Sequence, residues 1–189
     1  MGKTVRWYSW CSGLGVANTC ALGAFVSGPL IESLTRRANA PPFPLFSALI
    51  LRTLLAGTHV IMDRYAFSGV AFSAAKPGLD ADWCAAPDAG LPAPDVVLFM
   101  DLTPAAQAAR GGFGGERYEV PAFQVKVRAA FAVLRDRVVQ HSTVSWHDVD
   151  ASGSIEEVEV RVEGLIQPAI TIAVAATLKA LWEGDALIK

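Results

Sequence analysis

From Leu49 onward, short apolar runs alternate with amphipathic stretches, the pattern of an α/β chain in which strands and helices take turns. LILRTLLAG predicts a helix ending at Gly57. HVIMD, residues 59–63, predicts a short buried strand, and SGVAFSAAK begins the next helix. PDVVLFMDL, residues 94–102, is a near-continuous apolar run of the kind found in central parallel strands covered on both faces. TPAAQAAR predicts a helix with Thr103 as N-cap and Pro104 in its first turn. In VPAFQVKVRAAFAVLRDRVV, Phe123, Val127, Ala130, Phe131 and Leu134 fall on one helical stripe, with Lys126, Arg128, Arg135 and Asp136 off it. Val144 to Val149 predicts a last strand. D-A-S-G-S then turns the chain into a helix from Ile155, with Glu156 and Glu157 near its positive end. Pro168 is expected to kink or divide that helix.

The first 48 residues obey none of this. Trp7 to Ile31 is a run of 25 residues without a charge, lacking both helical amphipathicity and strand alternation. Following Lys3 and Arg6, it raises a signal peptide or membrane span. Interruption by Ser9, Ser12, Gly13, Gly15, Asn18, Thr19, Gly23, Ser27, Gly28 and Pro29, with little leucine, argues against insertion. A myristoylation signal fails because Arg6 stands where Ser or Thr is required.

Composition narrows the class further. The 189 residues suit one domain with a real core, and 52% hydrophobic content is swollen by alanine and by the uncharged run. A net charge of −2, with basic residues scattered, demands neither nucleic acid nor a membrane surface as partner. Cys11, Cys20 and Cys84 are odd in number and fit no paired spacing, so reduced thiols are expected rather than a disulfide frame or a zinc site.

Candidate chemistry begins where the strand HVIMD runs into Asp63-Arg64. That places a carboxylate and a guanidinium at the C-terminal edge of a sheet, where open α/β sheets bind ligands. Asp63 can hold a Mg²⁺-bound water and Arg64 can offer a fork to a phosphate, although a lone D-R-Y is also an ordinary surface ion pair. RGGFGGERYE, residues 110–119, has four glycines among ten residues and carries Arg110 and Arg117. It suits a loop closing over phosphates, or by itself a solvated loop. Gly2-Lys3-Thr4 is the tail of a phosphate loop, G-x-x-x-x-G-K-[ST], without the strand and glycine-rich turn that make such a loop work.

Taken together, DRYAFSGVAFSAAK-x-x-LD-x-x-WC-x-x-PD-x-GLP-x-PD-x-V-x-F, RGGFGGERYE with Phe123-Gln124 after it, and DASGSIEEV resemble eukaryotic thymidylate kinase over about residues 49–165. The resemblance implies a P-loop nucleoside-monophosphate-kinase-like parallel sheet flanked by helices, in residues 28–189, with a lid at 110–119. It implies transfer of the ATP γ-phosphate to dTMP to give dTDP, with Mg²⁺ as the metal and ATP as co-substrate. Asp63 and Arg64 would serve the magnesium–phosphate region and the dTMP phosphate. Ser68, Gly69 and Phe72 would line the nucleoside pocket, Phe72 crowding the sugar 2′ position, and Tyr118 and Gln124 would face dTMP. Arg110 and Arg117 would cover the ATP phosphates, and Ala151, Ser152 and Gly153 would sit by adenine. Pro44-Leu45-Phe46-Ser47-Ala48 is similar to the family's L-L-F-S-A, which makes Phe46 a candidate to stack on thymine. The resemblance implies a homodimer, and a cytoplasmic protein is expected, with organelle and nucleus open.

Upstream of residue 49 the likeness decays. LFSA runs straight into LILRTLLAGTHVIMDRY as if about seven residues were cut out. GPLIESLTRR is similar to the preceding family helix, but F-P-x-R is not found, and the first strand and phosphate loop are expected to be missing. Lys3 and Thr4 remain as candidate ATP-binding remnants. Residues 1–27 are expected to form an irregular segment, as a frame-shifted or mis-spliced piece would. Losing the cradle predicts impaired turnover. The alternatives are a catalytically dead nucleotide-binding paralogue or truncated gene product, a membrane-tethered protein, and a UMP–CMP or adenylate kinase.

Overall fold

The computed structural model describes residues 7–12, 31–35, 43–103, 105–106, 120–142, 144–172 and 178–182. Among these residues five strands form one parallel sheet: β1 (Trp7–Ser12), β2 (Ile31–Thr35), β3 (His59–Asp63), β4 (Val96–Asp101) and β5 (Ser145–Asp150), in the order β2-β3-β1-β4-β5. Helices α1 (Phe43–Leu55), α2 (Ala66–Ala74), α3 (Ala81–Ala85), α4 (Pro121–His141) and α5 (Ile155–Ile172) connect or follow them.

This is the parallel sheet flanked by helices that the alternating pattern implies. Val60 and Met62 of β3 and Val97 and Phe99 of β4 pack into one core with Ile50, Phe67, Val70, Val127, Phe131 and Leu134. Their neighbours Ile61, Val96, Leu98 and Met100 pack into a second core with Val162 and Ile166 of α5. Side chains alternate across a strand, so a sheet covered on both faces needs apolar residues at every position.

The place expected to lack a strand is filled. β1 lies at the centre of the sheet, in register with β3 (Trp10 opposite Asp63) and with β4 (Ser12 opposite Met100). Part of the segment expected to be irregular is therefore a strand. Aromatic residues favour strands, and two flanking partners satisfy a backbone whose side-chain pattern alone is uninformative.

The ends of the helices follow their capping residues. α1 closes with Gly57 at φ 85°, where Gly57 N–H donates to the Leu54 carbonyl (2.9 Å) and Thr58 N–H to Thr53 (3.2 Å). That pair of bonds is the αL termination for which glycine is preferred. Thr103 Oγ1 accepts from Ala106 N–H (3.2 Å), the N-cap expected there. α5 does not divide at Pro168 but runs through it to Ile172. Gly164, one turn back, carries the carbonyl that loses its helical donor to the proline, and the residue is exposed, so water can satisfy that acceptor.

Candidate functional site

Because every strand is parallel, their C-terminal ends gather at one edge. β3 ends at Asp63, β4 at Asp101 and β5 at Asp150, with Asp101 opposite Asp150 and Asp63 opposite Trp10. Ligands of open α/β sheets bind along such an edge.

Arg64 follows Asp63 in a left-handed backbone conformation, φ 61°. A non-glycine residue there costs about 1 kcal/mol or more, and such strain gathers at functional corners. Tyr65 closes the corner from below. It is 1% exposed, its hydroxyl donates to the Pro92 carbonyl (3.1 Å), and burial together with the Asp88 carboxylate raises its pKa far above the usual phenol range. It therefore stays a neutral donor.

α2 leaves this corner with Ser68 and Gly69 N–H donating to the Tyr65 carbonyl (3.0 and 3.4 Å). Ser68 is 7% exposed, and its Oγ has no hydrogen-bond partner among the described residues. Leaving a buried hydroxyl unsatisfied costs about 1–3 kcal/mol. Phe72, one turn on, has its ring 6.3 Å from Phe123 and 6.5 Å from Phe131 of α4. Gln124 follows Phe123 in the first turn of α4, its N–H donating to the Val120 carbonyl (3.0 Å). The structure thus brings Arg64, Ser68, Gly69, Phe72 and Gln124 to the corner between β3, α2 and α4.

At the other end of the edge, the turn after β5 is tightly held. Ala151 N–H donates to the Asp101 carbonyl (2.8 Å), and Ser152 N–H to Asp150 Oδ1 (2.8 Å). Arg161 Nη1 reaches the Asp150 and Ser152 carbonyls, both at 2.7 Å. Hydrogen bonds from Ser152 to the Asp150 carboxylate hold its pKa below the usual range. Ser154 and Glu157 form a reciprocal capping box, with Ser154 N–H to Glu157 Oε2 at 2.8 Å and Glu157 N–H to Ser154 Oγ at 3.2 Å. Gly153 sits at φ 98°, where a Cβ would collide with the Glu157 carboxylate. Ser154→Ala is expected to cost about 1 kcal/mol, a fall of roughly 2–4 °C in the thermal midpoint by calorimetry.

Lys3, Thr4, Arg110, Arg117 and Tyr118 lie outside the described residues. The backbone of Phe46 belongs to α1. Two groups beside the corner were not among the expected site residues. Asp88, 7% exposed, would stand 4.0 Å from a Cβ on Gly69. Phe123 meets Phe72. A carboxylate inside the apolar P-D-A-G-L-P stretch was the available signal for the first, and its place on the α4 stripe disguised the second as core.

A family model described as thymidylate kinase matches residues 45–162. Thymidylate kinase of Danio rerio is 43% identical over 166 residues, spanning 82% of this chain and 76% of that protein. That of Schizosaccharomyces pombe is 46% identical over 155 residues, covering 78% and 72%. That of Homo sapiens is 46% identical over 135 residues, covering 71% and 62%. A solved structure of thymidylate kinase from Candida albicans superposes with a TM-score of 0.72 at 23% identity, over 94% of this chain and 98% of that one. No helix among the described residues is long and apolar enough to cross a membrane.

Proposed function

The chain belongs to the thymidylate kinase family, and from that premise we propose that it transfers the γ-phosphate of ATP to dTMP, giving dTDP, with turnover held back on the ATP side. The observation that carries the reading is the corner itself: a strained Arg64 at the end of β3 beside a buried Ser68 hydroxyl with no hydrogen-bond partner among the described residues. Arg64 takes the dTMP phosphate through its guanidinium fork. Ser68 hydrogen-bonds the nucleotide, and Phe72 shapes the space beside the sugar.

Mg²⁺ fits the donor set. Among the described residues no group of three or more His, Cys, Asp or Glu could ligate a metal. Mg²⁺ is usually held by one or two carboxylates, water and substrate phosphates instead, and Asp63 is the residue that ends β3 at the ligand edge. Bound there, it would neutralise phosphate charge. The protein's own share is positioning and charge, with Arg64 orienting the acceptor and Arg110 and Arg117 covering the donor phosphates.

A coupled ADP-release assay with ATP, Mg²⁺ and dTMP tests the reading, and a panel of UMP, CMP and AMP tests the acceptor. Turnover with another acceptor but not dTMP would overturn it. dTMP binding without any turnover would favour the second reading, a nucleotide-binding paralogue that does no chemistry. One observation speaks for that paralogue: residues 13–30, which follow β1, contain neither Lys nor Arg.

Ser68→Ala separates ligand binding from stability. Removing the unsatisfied hydroxyl is expected to raise the thermal midpoint of the free protein by roughly 2–4 °C. It is expected to weaken dTMP binding by about three- to tenfold, the worth of one neutral hydrogen bond. A Ser68 that served only the fold would lower the midpoint and leave the affinity alone.

A further inference from the structure

Leu178–Trp182 returns as a strap across the loop between α3 and β4. Ala93 N–H donates to the Lys179 carbonyl (2.7 Å), Leu181 N–H to Leu91 (2.6 Å), and Gly90 N–H to Leu181 (3.0 Å), around an antiparallel bridge of Pro92 with Ala180. The strap ends in the core. Leu181 is 2% exposed and Trp182 3%. The indole stands edge-on to Phe67 of α2, with ring centroids 6.1 Å apart at 87°.

Trp182 carries two further costs. Its φ is 59°, an outlier for a bulky residue, and its indole N–H is buried without a hydrogen-bond partner among the described residues. Local strain and an unsatisfied donor persist only where the surroundings over-determine them. What they secure here is the nucleotide corner. The strap pins Leu91 and Ala93, between them Pro92 accepts from the Tyr65 hydroxyl, and Tyr65 joins Arg64 to α2. The indole also packs edge-on against Phe67, the residue before Ser68.

We propose that the strap is a positioning element for the monophosphate nucleotide, with Trp182 holding the Arg64–Ser68 corner in its binding geometry through Phe67 and through the loop carrying Pro92. The inference rests on the dTMP reading of that corner and names a determinant of it remote from the ligand. Ring-sized displacement beneath α2 would move Ser68 and Arg64 together, and misplacement by about an ångström can cost on the order of 10²-fold.

The test is dTMP affinity by calorimetry at low temperature, in the full chain, where wild type and variants are all folded by circular dichroism. Trp182→Leu is expected to weaken dTMP binding by about ten- to a hundredfold. Trp182→Phe, which keeps an edge-on ring against Phe67, should stay within about threefold. Phe67→Leu combined with Trp182→Leu should be little worse than Trp182→Leu alone, because both act through one contact. Trp182→Met replaces the leucine variant if that does not fold. A Trp182→Leu or Trp182→Met protein that is folded, melts lower and binds dTMP as tightly as wild type overturns the inference and leaves the proposed function standing. A wild type that binds no dTMP overturns both.

Discussion

Arg64→Gly should lower dTMP affinity by about two orders of magnitude, while the thermal midpoint stays at or above that of the wild type. The two halves of this result have separate causes. A guanidinium paired with a phosphate makes charge-assisted hydrogen bonds worth about 1.5–3 kcal/mol, which is roughly 10- to 150-fold in affinity per bond. Its backbone, at φ 61°, is one that glycine adopts without penalty and other L-residues do not. Relief of that conformation offsets the loss of a half-buried side chain. Arg64→Lys keeps the charge but not the fork, so it should fall between wild type and glycine in affinity, with the midpoint unchanged. Calorimetric binding and thermal melts of the three proteins decide the matter. A glycine variant that melts lower and binds dTMP normally would mark Arg64 as a structural residue.

The corner was legible because its sequence signals are local. HVIMD gives a strand, the carboxylate and guanidinium follow at its end, and parallel topology carries them to the ligand edge. α4 was equally legible, since Val127, Phe131 and Leu134 are buried on one stripe while Lys126 and Asp136 are exposed. β1 was not. WYSWCS has no alternation to read, and its identity as a strand comes from backbone bonds to β3 and β4, residues some fifty and ninety positions away. Trp182 and Asp88 were hidden for a related reason. A buried indole in a terminal strap, or a carboxylate tucked under Gly69, is set by tertiary packing that periodicity does not encode. Ser68 lay between the cases: the family motif named it, but only the structure shows a buried hydroxyl without a partner among the described residues.

The second large effect is expected on the ATP side, where turnover should lie about 10³-fold or more below that of a relative with a complete phosphate loop. A phosphate loop works because it follows the C-terminal end of a strand and opens a helix, so that its backbone N–H groups and lysine meet the phosphates there. In this chain Gly2-Lys3-Thr4 comes before β1 in the sequence, whereas residues 13–30, which follow β1, contain neither Lys nor Arg. Six residues of β1 span about 16 Å, and both its edges are occupied, by β3 and by β4. Lys3 is separated in the sequence from the position of such a loop, after Ser12, by the whole of β1. Lys3→Ala should therefore leave the residual rate within about twofold, whereas the corresponding lysine in a complete loop is worth orders of magnitude. Installing G-x-x-x-x-G-K-T directly after Ser12 should raise the rate while leaving dTMP affinity as it was. Measuring kcat/KM for ATP in these three proteins, beside dTMP binding, separates a kinase that lacks its donor site from a chain that has another one. A large loss on Lys3→Ala would show that Lys3 reaches the phosphates after all, and would return the Gly-Lys-Thr triplet to the catalytic machinery.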